Sequence, residues 1–185
     1  MGRLIFNHEM ARIREESQSQ VAIVRGRFWH LPAIYAQIYD GALEGNFSYG
    51  LADEKIQLFM LLTMLCVSLF GYVKLPGVQL SKARLRVAES NGMVVGHVFL
   101  IQHHDSLEIA TCAVKTEYRR NGIGKMLVDD TVALAGNLPV KAACMPKSHA
   151  MCMVLRKCGF VTIKRLSPNQ IAKLGLRHWQ HSQSS

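Results

Sequence analysis

The sequence predicts an α+β fold in which a mostly antiparallel sheet of six to seven strands is flanked by helices. Residues 84–114 contain three segments with strand patterns joined by short turns, and residues 119–166 then alternate helical and strand patterns. Hydrophobic residues make up 49% of the chain and charged residues 19%. This composition supports a sizeable core and excludes an intrinsically disordered chain.

The three-stranded segment begins with a hairpin. Residues 84–89 alternate polar and apolar side chains and are followed by Asn91-Gly92. This pair is typical of a type I′ turn, because both central positions of that turn need a positive φ. We therefore predict strands at 84–89, 93–102 and 107–114, with a turn at His103–Ser106. The turn sequence His103-His104-Asp105 lacks further ligands at suitable spacing, so we predict a solvated turn and no metal site.

The second half of the chain alternates helices and strands. Gly136-Asn137 and then Pro139 end a helix at 124–135, and Gly159 ends a helix at 148–157. Strands are predicted at 140–145 and 160–166. A capping pattern at Ser167–Gln170 predicts a last helix that runs to about Trp179.

The first half contains one unusual segment, Ile56–Val73, which runs for eighteen residues without a charge. At a rise of about 1.5 Å per residue it is just long enough to cross a bilayer core. Polar residues dilute its hydrophobicity, so we favour a buried or partner-covered helix and leave membrane association open. Before it we predict an amphipathic helix at 4–17, a strand at 21–24 and a helix at 30–40.

We predict three parts: a helical extension at 1–20, one domain at 21–166, and a C-terminal helix with a frayed tail at 167–185. The chain carries 22 Lys+Arg against 13 Asp+Glu, a net charge of +9 that favours an anionic partner such as a phosphorylated cofactor. The basic C-terminal residues lack interleaved aromatics, so a nucleic-acid partner is kept only as a minor alternative.

The cysteine content bears on the cellular compartment and on metal binding. The five cysteines form no Cys-x-x-Cys pair and lie among apolar residues, which favours reduced core thiols, a cytoplasmic location and no zinc. Residues 1–20 lack the apolar core of a signal peptide.

A glycine loop between the strand at 107–114 and the following helix carries the main chemical signal. Its pattern is Arg119-x-x-Gly122-x-Gly124. Glycines let backbone amides approach an anion, and the first-turn amides of a helix have no partner within the helix. A pyrophosphate fits such a site. The spacing matches neither the dinucleotide fingerprint nor the Walker loop. The alternative is a tight loop that binds nothing.

The loop resembles the phosphate loop of the GNAT superfamily of N-acetyltransferases, which reads Gln/Arg-x-x-Gly-x-Gly/Ala. The resemblance extends from Val21 to Leu166: residues 21–36 resemble the first strand and helix of that family, 83–114 its strands two to four, and Ser148–Phe160 its later helix ending in Gly-Phe. It implies the acyl-CoA N-acyltransferase fold, an α/β/α arrangement.

The resemblance also implies acetyl-CoA as the donor, lying in a V-shaped gap between the fourth and fifth strands of the family. The end of the fourth strand would pair with the pantetheine arm, and the loop would hold the pyrophosphate. A primary amine, of a protein or peptide, would then attack the thioester directly in a ternary complex. The residues assigned to acetyl-CoA binding in this way are Cys112, Ala113, Val114, Arg119, Arg120, Asn121, Gly122, Ile123, Gly124 and Lys125.

Glu108 is the candidate catalytic base, because it occupies the position of the glutamate in histone-acetylating members of the family. We expect it to be partly buried among Leu107 and Ile109; a solvent-facing or merely substrate-orienting glutamate is the alternative. The sequence departs from the family at the general acid, since Leu155 stands where many members have Tyr. A second reading therefore stays open: an interaction or structural module, such as one encoded by a phage, with weak or no catalysis and a membrane or protein partner at Ile56–Val73.

Overall fold

The computed structural model describes residues 21–47, 53–74, 80–145, 148–162 and 177–181. Within these ranges the first half contains β1 at Val21–Arg25, a 3-10 turn at Phe28–His30, α1 at Leu31–Leu43, α2 at Glu54–Phe70 and β2 at Tyr72–Val73. The second half contains β3 at Ser81–Ser90, β4 at Met93–Gln102, β5 at Leu107–Val114, a 3-10 turn at Thr116–Tyr118, α3 at Ile123–Ala135, β6 at Val140–Cys144, α4 at His149–Lys157, β7 at Val161–Thr162 and β8 at Arg177–His181.

The strands form a single mixed sheet, which confirms the predicted α+β class. Its order is β1-β3-β4-β5-β6-β8-β7, and the short β2 pairs with β3 outside this path. Among the described strands, β5 and β6 are the one parallel pair, and every other pair is antiparallel. Counting the two-residue β2, the part of the sheet within the described residues has eight strands, slightly more than predicted.

Helices cover both faces of the sheet. Successive side chains of each strand point to opposite faces, and both faces carry apolar side chains that the helices bury. One hydrophobic core lies beneath α3 and α4 and contains Leu100, Leu127 and Leu155. The other lies beneath α1 and α2 and contains Ile34, Met64 and Phe99. The fold is therefore a three-layer α/β/α arrangement, as the family resemblance implies.

The predicted C-terminal helix is wrong at its end, because Arg177–His181 is a strand. β8 lies between β6 and β7, and Trp179 is paired with Ala142 on one side and Thr162 on the other. Without β8 the outer edge of β6 would present unpaired backbone groups, and tertiary pairing of this kind overrides a weak local helix preference. The predicted helix at 4–17, the rest of the strand at 163–166 and the earlier part of the C-terminal helix at 167–176 lie outside the described residues.

The uncharged segment Ile56–Val73 forms most of α2. Asp53 caps this helix by accepting hydrogen bonds from the amides of Lys55 and Ile56, and Gly71 ends it with φ 75°. The buried-helix prediction holds for one face only: Met64 and Val67 are buried, whereas Leu58 and Leu62 are more than half exposed. Within the described ranges, no helix combines the length and hydrophobicity that a membrane crossing needs.

Candidate functional site

The parallel strands β5 and β6 separate soon after they meet. They pair only from Leu107–Val140 to Ile109–Ala142, although β5 continues to Val114 and β6 to Cys144. The register between β4 and β5 shifts at Phe99/Leu100, and a bulge of this kind bends the strand and increases its local twist. Beyond Ile109 and Ala142 the two strands are no longer paired, which leaves a gap between their carboxyl ends.

The glycine loop closes the wide end of this gap. Lys115 donates its amide to the Val95 carbonyl at 2.9 Å, and Arg120 and Gly122 then adopt left-handed φ values of 67° and 79°. The first hydrogen bond of α3 runs from the Met126 amide to the Gly122 carbonyl at 3.0 Å. The amides of residues 123–125 precede that bond, so helix geometry gives them no intrahelical partner. Free amides at the start of a helix are suited to binding an anion.

Cationic side chains surround the loop, and several are already paired. The Arg119 guanidinium donates to the Val114 carbonyl at 3.1 Å and lies 2.8 Å from Glu44, the residue that follows α1. The hydrogen bond from Lys125 to Asp129 raises the pKa of that ammonium group. Arg120 is exposed. The loop thus combines backbone amides with positive charge and is tied through Arg119 to the end of α1.

Glu108 lies at the narrow end of the gap, opposite Lys141 in β6. Its neighbours Leu107 and Ile109 point into the core beneath α3, so strand alternation places Glu108 on the other face. Its side chain is 39% exposed, and its Oε2 lies 2.7 Å from His103 Nε2. Glu108 is thus partly buried, as expected, but not among Leu107 and Ile109, which point to the opposite face of the strand; its carboxylate pairs with a histidine.

Comparison with known families identifies this arrangement. The sequence model described as the acetyltransferase (GNAT) family matches residues 73–160. Residues 73–160 form a GNAT acetyltransferase domain. Comparison with curated proteins returned no match to the chain.

Solved structures agree with the GNAT fold at low sequence identity. An acetyltransferase of the GNAT family from Staphylococcus aureus Mu50 aligns at 18% identity with a TM-score of 0.67, over 89% of this chain and 99% of that one. The PaiA N-acetyltransferase of Thermoplasma acidophilum, in complex with coenzyme A, aligns at 13% and 0.67, over 88% and 99%. A phosphinothricin acetyltransferase from Sinorhizobium meliloti, in complex with AcCoA, aligns at 17% and 0.64, over 89% and 89%. The predicted fold class is confirmed.

The GNAT domain brings the predicted cofactor residues together around one gap. The backbone of Cys112, Ala113 and Val114 pairs with β4 on one side only, since β6 has diverged at this level. Gly124, at the start of α3, lies close to both β5 and α4. A side-chain carbon at this position would be 3.8 Å from Val114 in β5 and 3.7 Å from Val154 in α4. The strand edge and the loop are thus contiguous.

The thiols near the gap of the GNAT domain are poor nucleophiles. Burial raises the pKa of Cys112 to about 12 and that of Cys144 to about 12, and it raises the pKa of Cys158 to about 11. Because the thiolate is the reactive form, these groups are inert at neutral pH. They fit the prediction of reduced core thiols, whereas Cys66 on α2 is exposed.

Leu155 is fully buried in the core beneath α4, with no exposed surface. An aliphatic side chain carries no exchangeable proton, so this position of the GNAT domain supplies no general acid.

His103 is the site residue that sequence reasoning missed. The His103 amide donates to the Ser106 carbonyl at 2.8 Å and closes the turn, which brings His103 beside Glu108. The signal in the sequence was the short turn between β4 and β5, because such a turn brings His103 on one side next to Glu108 on the other.

Proposed function

We propose that the chain transfers an acetyl group from acetyl-CoA to a primary amine, of a protein or peptide, by direct attack in a ternary complex. The observation that carries this proposal is the juxtaposition of the helix-terminal amides at 123–125 with the gap between β5 and β6. Two similar structures are described as complexes with coenzyme A or AcCoA, which supports a coenzyme A thioester as the ligand of this gap.

Each part of the donor has a matching element. The pyrophosphate is held by the loop at 119–125, where amides, the helix dipole and cationic side chains act together. The pantetheine arm replaces the missing strand neighbour along the backbone of 112–114. The side chain of Cys112 is partly buried against the core beneath α3, and burial raises the pKa of its thiol to about 12, so the thiol does not compete for the acetyl group.

The reaction then needs one proton acceptor. The amine nitrogen attacks the thioester carbonyl carbon, the C–N bond forms and the C–S bond breaks. Glu108 takes the amine proton, and the hydrogen bond at 2.7 Å to His103 positions its carboxylate. The coenzyme A thiolate leaves and takes a proton from water, because Leu155 cannot donate one. The exposure of Glu108 leaves room for an amine carried by a larger molecule.

Donor binding tests this proposal. At about 100 times its dissociation constant, acetyl-CoA should raise the free energy of unfolding by roughly 2.7 kcal/mol. Gly122→Ala should weaken binding by about tenfold or more, because alanine at φ 79° costs about 1–2 kcal/mol and shifts the loop amides. Calorimetric titration gives the dissociation constant, and denaturant unfolding gives the stability.

Gly136→Ala is the matched control. Gly136 also has a positive φ, 59°, but it caps the opposite end of the same helix. Its replacement should cost stability and leave the acetyl-CoA dissociation constant unchanged. If millimolar acetyl-CoA fails to stabilise the wild-type chain, the transferase proposal is wrong. If the donor binds but no amine releases coenzyme A, the interaction-module reading is favoured, for which the buried Leu155 is the supporting observation.

A further inference from the structure

The outer surface of α1 and α2 carries a continuous apolar face. Its eight side chains are each between 39% and 58% exposed. We call this set the α1–α2 face: Phe28, Trp29, Tyr35, Tyr39, Ile56, Leu58, Phe59 and Leu62. Between the two helices lies a groove of about 490 Å³, whose lining includes Phe28, Tyr35, Leu58 and Leu62.

The α1–α2 face is distinct from the donor gap. The opposite sides of α1 and α2 pack on the sheet through Ile34, Met64 and Val67, so the exposed sides point away from it. The gap lies between β5 and β6 and is bordered by α3 and α4. The exposed side of the face therefore does not line the donor gap.

The face is large enough to form a stable interface. A fully exposed aromatic side chain presents on the order of 200 Å², so the eight half-exposed side chains present roughly 700–800 Å² of mainly apolar surface. Exposed apolar patches above a few hundred Å² mark interaction sites, and a standard protein interface buries about 800 Å² on each partner.

Charge is absent from the two segments that build the face. Residues 28–39 and 56–73 contain no Lys, Arg, Asp or Glu, although the whole chain has a net charge of +9. Two copies of so basic a chain repel each other. Burying an unpaired charge is also costly, so the copies associate most readily through surfaces that carry no charge. The face meets that condition except at one border, where the Arg27 guanidinium lies 5.0 Å from the centroid of the Trp29 ring.

We propose that the α1–α2 face binds the same face of a second copy of this chain. A two-fold dimer of this kind uses one surface twice, so every protruding group needs a recess on the same surface. The face supplies both: Phe28 and Trp29 stack edge to face at 5.0 Å at one border of the groove. The aromatic pair of each copy enters the groove of the other.

Sedimentation equilibrium of the full chain tests the dimer. The expected mass is twice the chain mass of 20.7 kDa, and Leu58→Glu or Leu62→Glu should each weaken the dimer by about 100-fold or more, because each buries an unpaired carboxylate. Both residues are more than half exposed, so the variants should fold, as circular dichroism will verify. Met93→Glu is the control, since Met93 is 52% exposed at the start of β4, outside the face.

Cys66 offers a second, independent readout. It is exposed on α2 and follows Leu62 by four residues, which places it on the same side of the helix. Its reaction with a maleimide should slow as the protein concentration rises through the dimerisation range, and Leu62→Glu should abolish that dependence. A wild-type chain that is monomeric at every concentration overturns the proposal, as does a dimer that survives both glutamate variants. Neither readout involves acetyl-CoA, so this proposal and the transferase proposal fail separately.

Discussion

Glu108→Gln is expected to slow acetyl transfer to a primary amine by about 10²–10³-fold, within the range of general base catalysis. The amide keeps the size of the side chain but cannot accept the amine proton. Acetyl-CoA affinity should be unchanged, because Glu108 lies at the narrow end of the gap, at the opposite end of β5 from the loop that binds the pyrophosphate. Coenzyme A release with a panel of amines and peptides measures the rate, and calorimetry measures the affinity.

Asp105→Asn is the matched control for this loss. Asp105 lies in the same turn, and its carboxylate bonds Ser106 and Lys141 rather than His103. The asparagine variant makes the same chemical change three residues away and should retain the wild-type rate. An undiminished rate in Glu108→Gln would show that Glu108 is not the catalytic base.

His103 should act only through Glu108. His103→Gln is expected to give a smaller rate loss than Glu108→Gln, because it removes only the hydrogen bond that positions the carboxylate. In the Glu108→Gln background, the same His103 change should have no further effect, which a double-mutant cycle measures. A full additional loss in that background would show that His103 has a separate role.

Lowering the pH from 7 to 4 should cost about 3 kcal/mol of folding free energy through His97 alone. Burial lowers the pKa of His97 to about 3, from 6.5 in the unfolded chain. The neutral ring is therefore favoured in the folded state, and protons bind preferentially to the unfolded state. The stabilisation is fully present above pH 6.5 and is lost progressively as the pH falls towards 3.

The structure explains why His97 stays neutral. Its side chain has no exposed surface, and its ring nitrogens lie 2.9 Å from the Gln37 oxygen and 3.4 Å from the Thr111 hydroxyl. Neither partner carries a charge that could stabilise an imidazolium. The ring links α1 to β4 and β5 by hydrogen bonds, close to the register shift between β4 and β5.

Denaturant unfolding at a series of pH values tests this expectation. His97→Gln keeps polar atoms for Gln37 and Thr111 but has no proton to gain in this range. The variant will be less stable at pH 7, and its stability should fall less steeply between pH 7 and pH 4 than that of the wild type. Parallel pH curves for the two proteins would show that His97 does not control the acid response.

The parts of the fold that the sequence predicted well depend on local signals. Asn91-Gly92 specifies its own turn, and the glycines around α3 mark both ends of that helix, so β3, β4, β5 and α3 lie close to their predicted bounds. The phosphate loop belongs to the same class, because its glycine spacing and the following helix are contiguous in the chain.

The parts that could not be predicted depend on distant partners. β8 is a strand because it pairs with β6 on one side and β7 on the other, and the sequence of residues 177–181 alone does not indicate these partners. The side of β5 on which Glu108 lies follows from the packing of Leu107 and Ile109 beneath α3, which only the folded sheet reveals. The one-sided burial of α2 was hidden for another reason: its apolar residues surround the whole helix, so no periodicity marks the side that faces the sheet.

The short β5–β6 ladder has a consequence for the strength of the molecule as a whole. Among the described residues, the ladder between β5 and β6 joins the block of β6, β7 and β8 to the remaining strands at three residue pairs. A pantetheine chain bound beside β5 would fill the space where β5 and β6 are not paired. The binding free energy of this ligand would then also stabilise the contact between the two blocks. Amide exchange in β6 and β8 should therefore slow when the ligand binds and become faster when it dissociates.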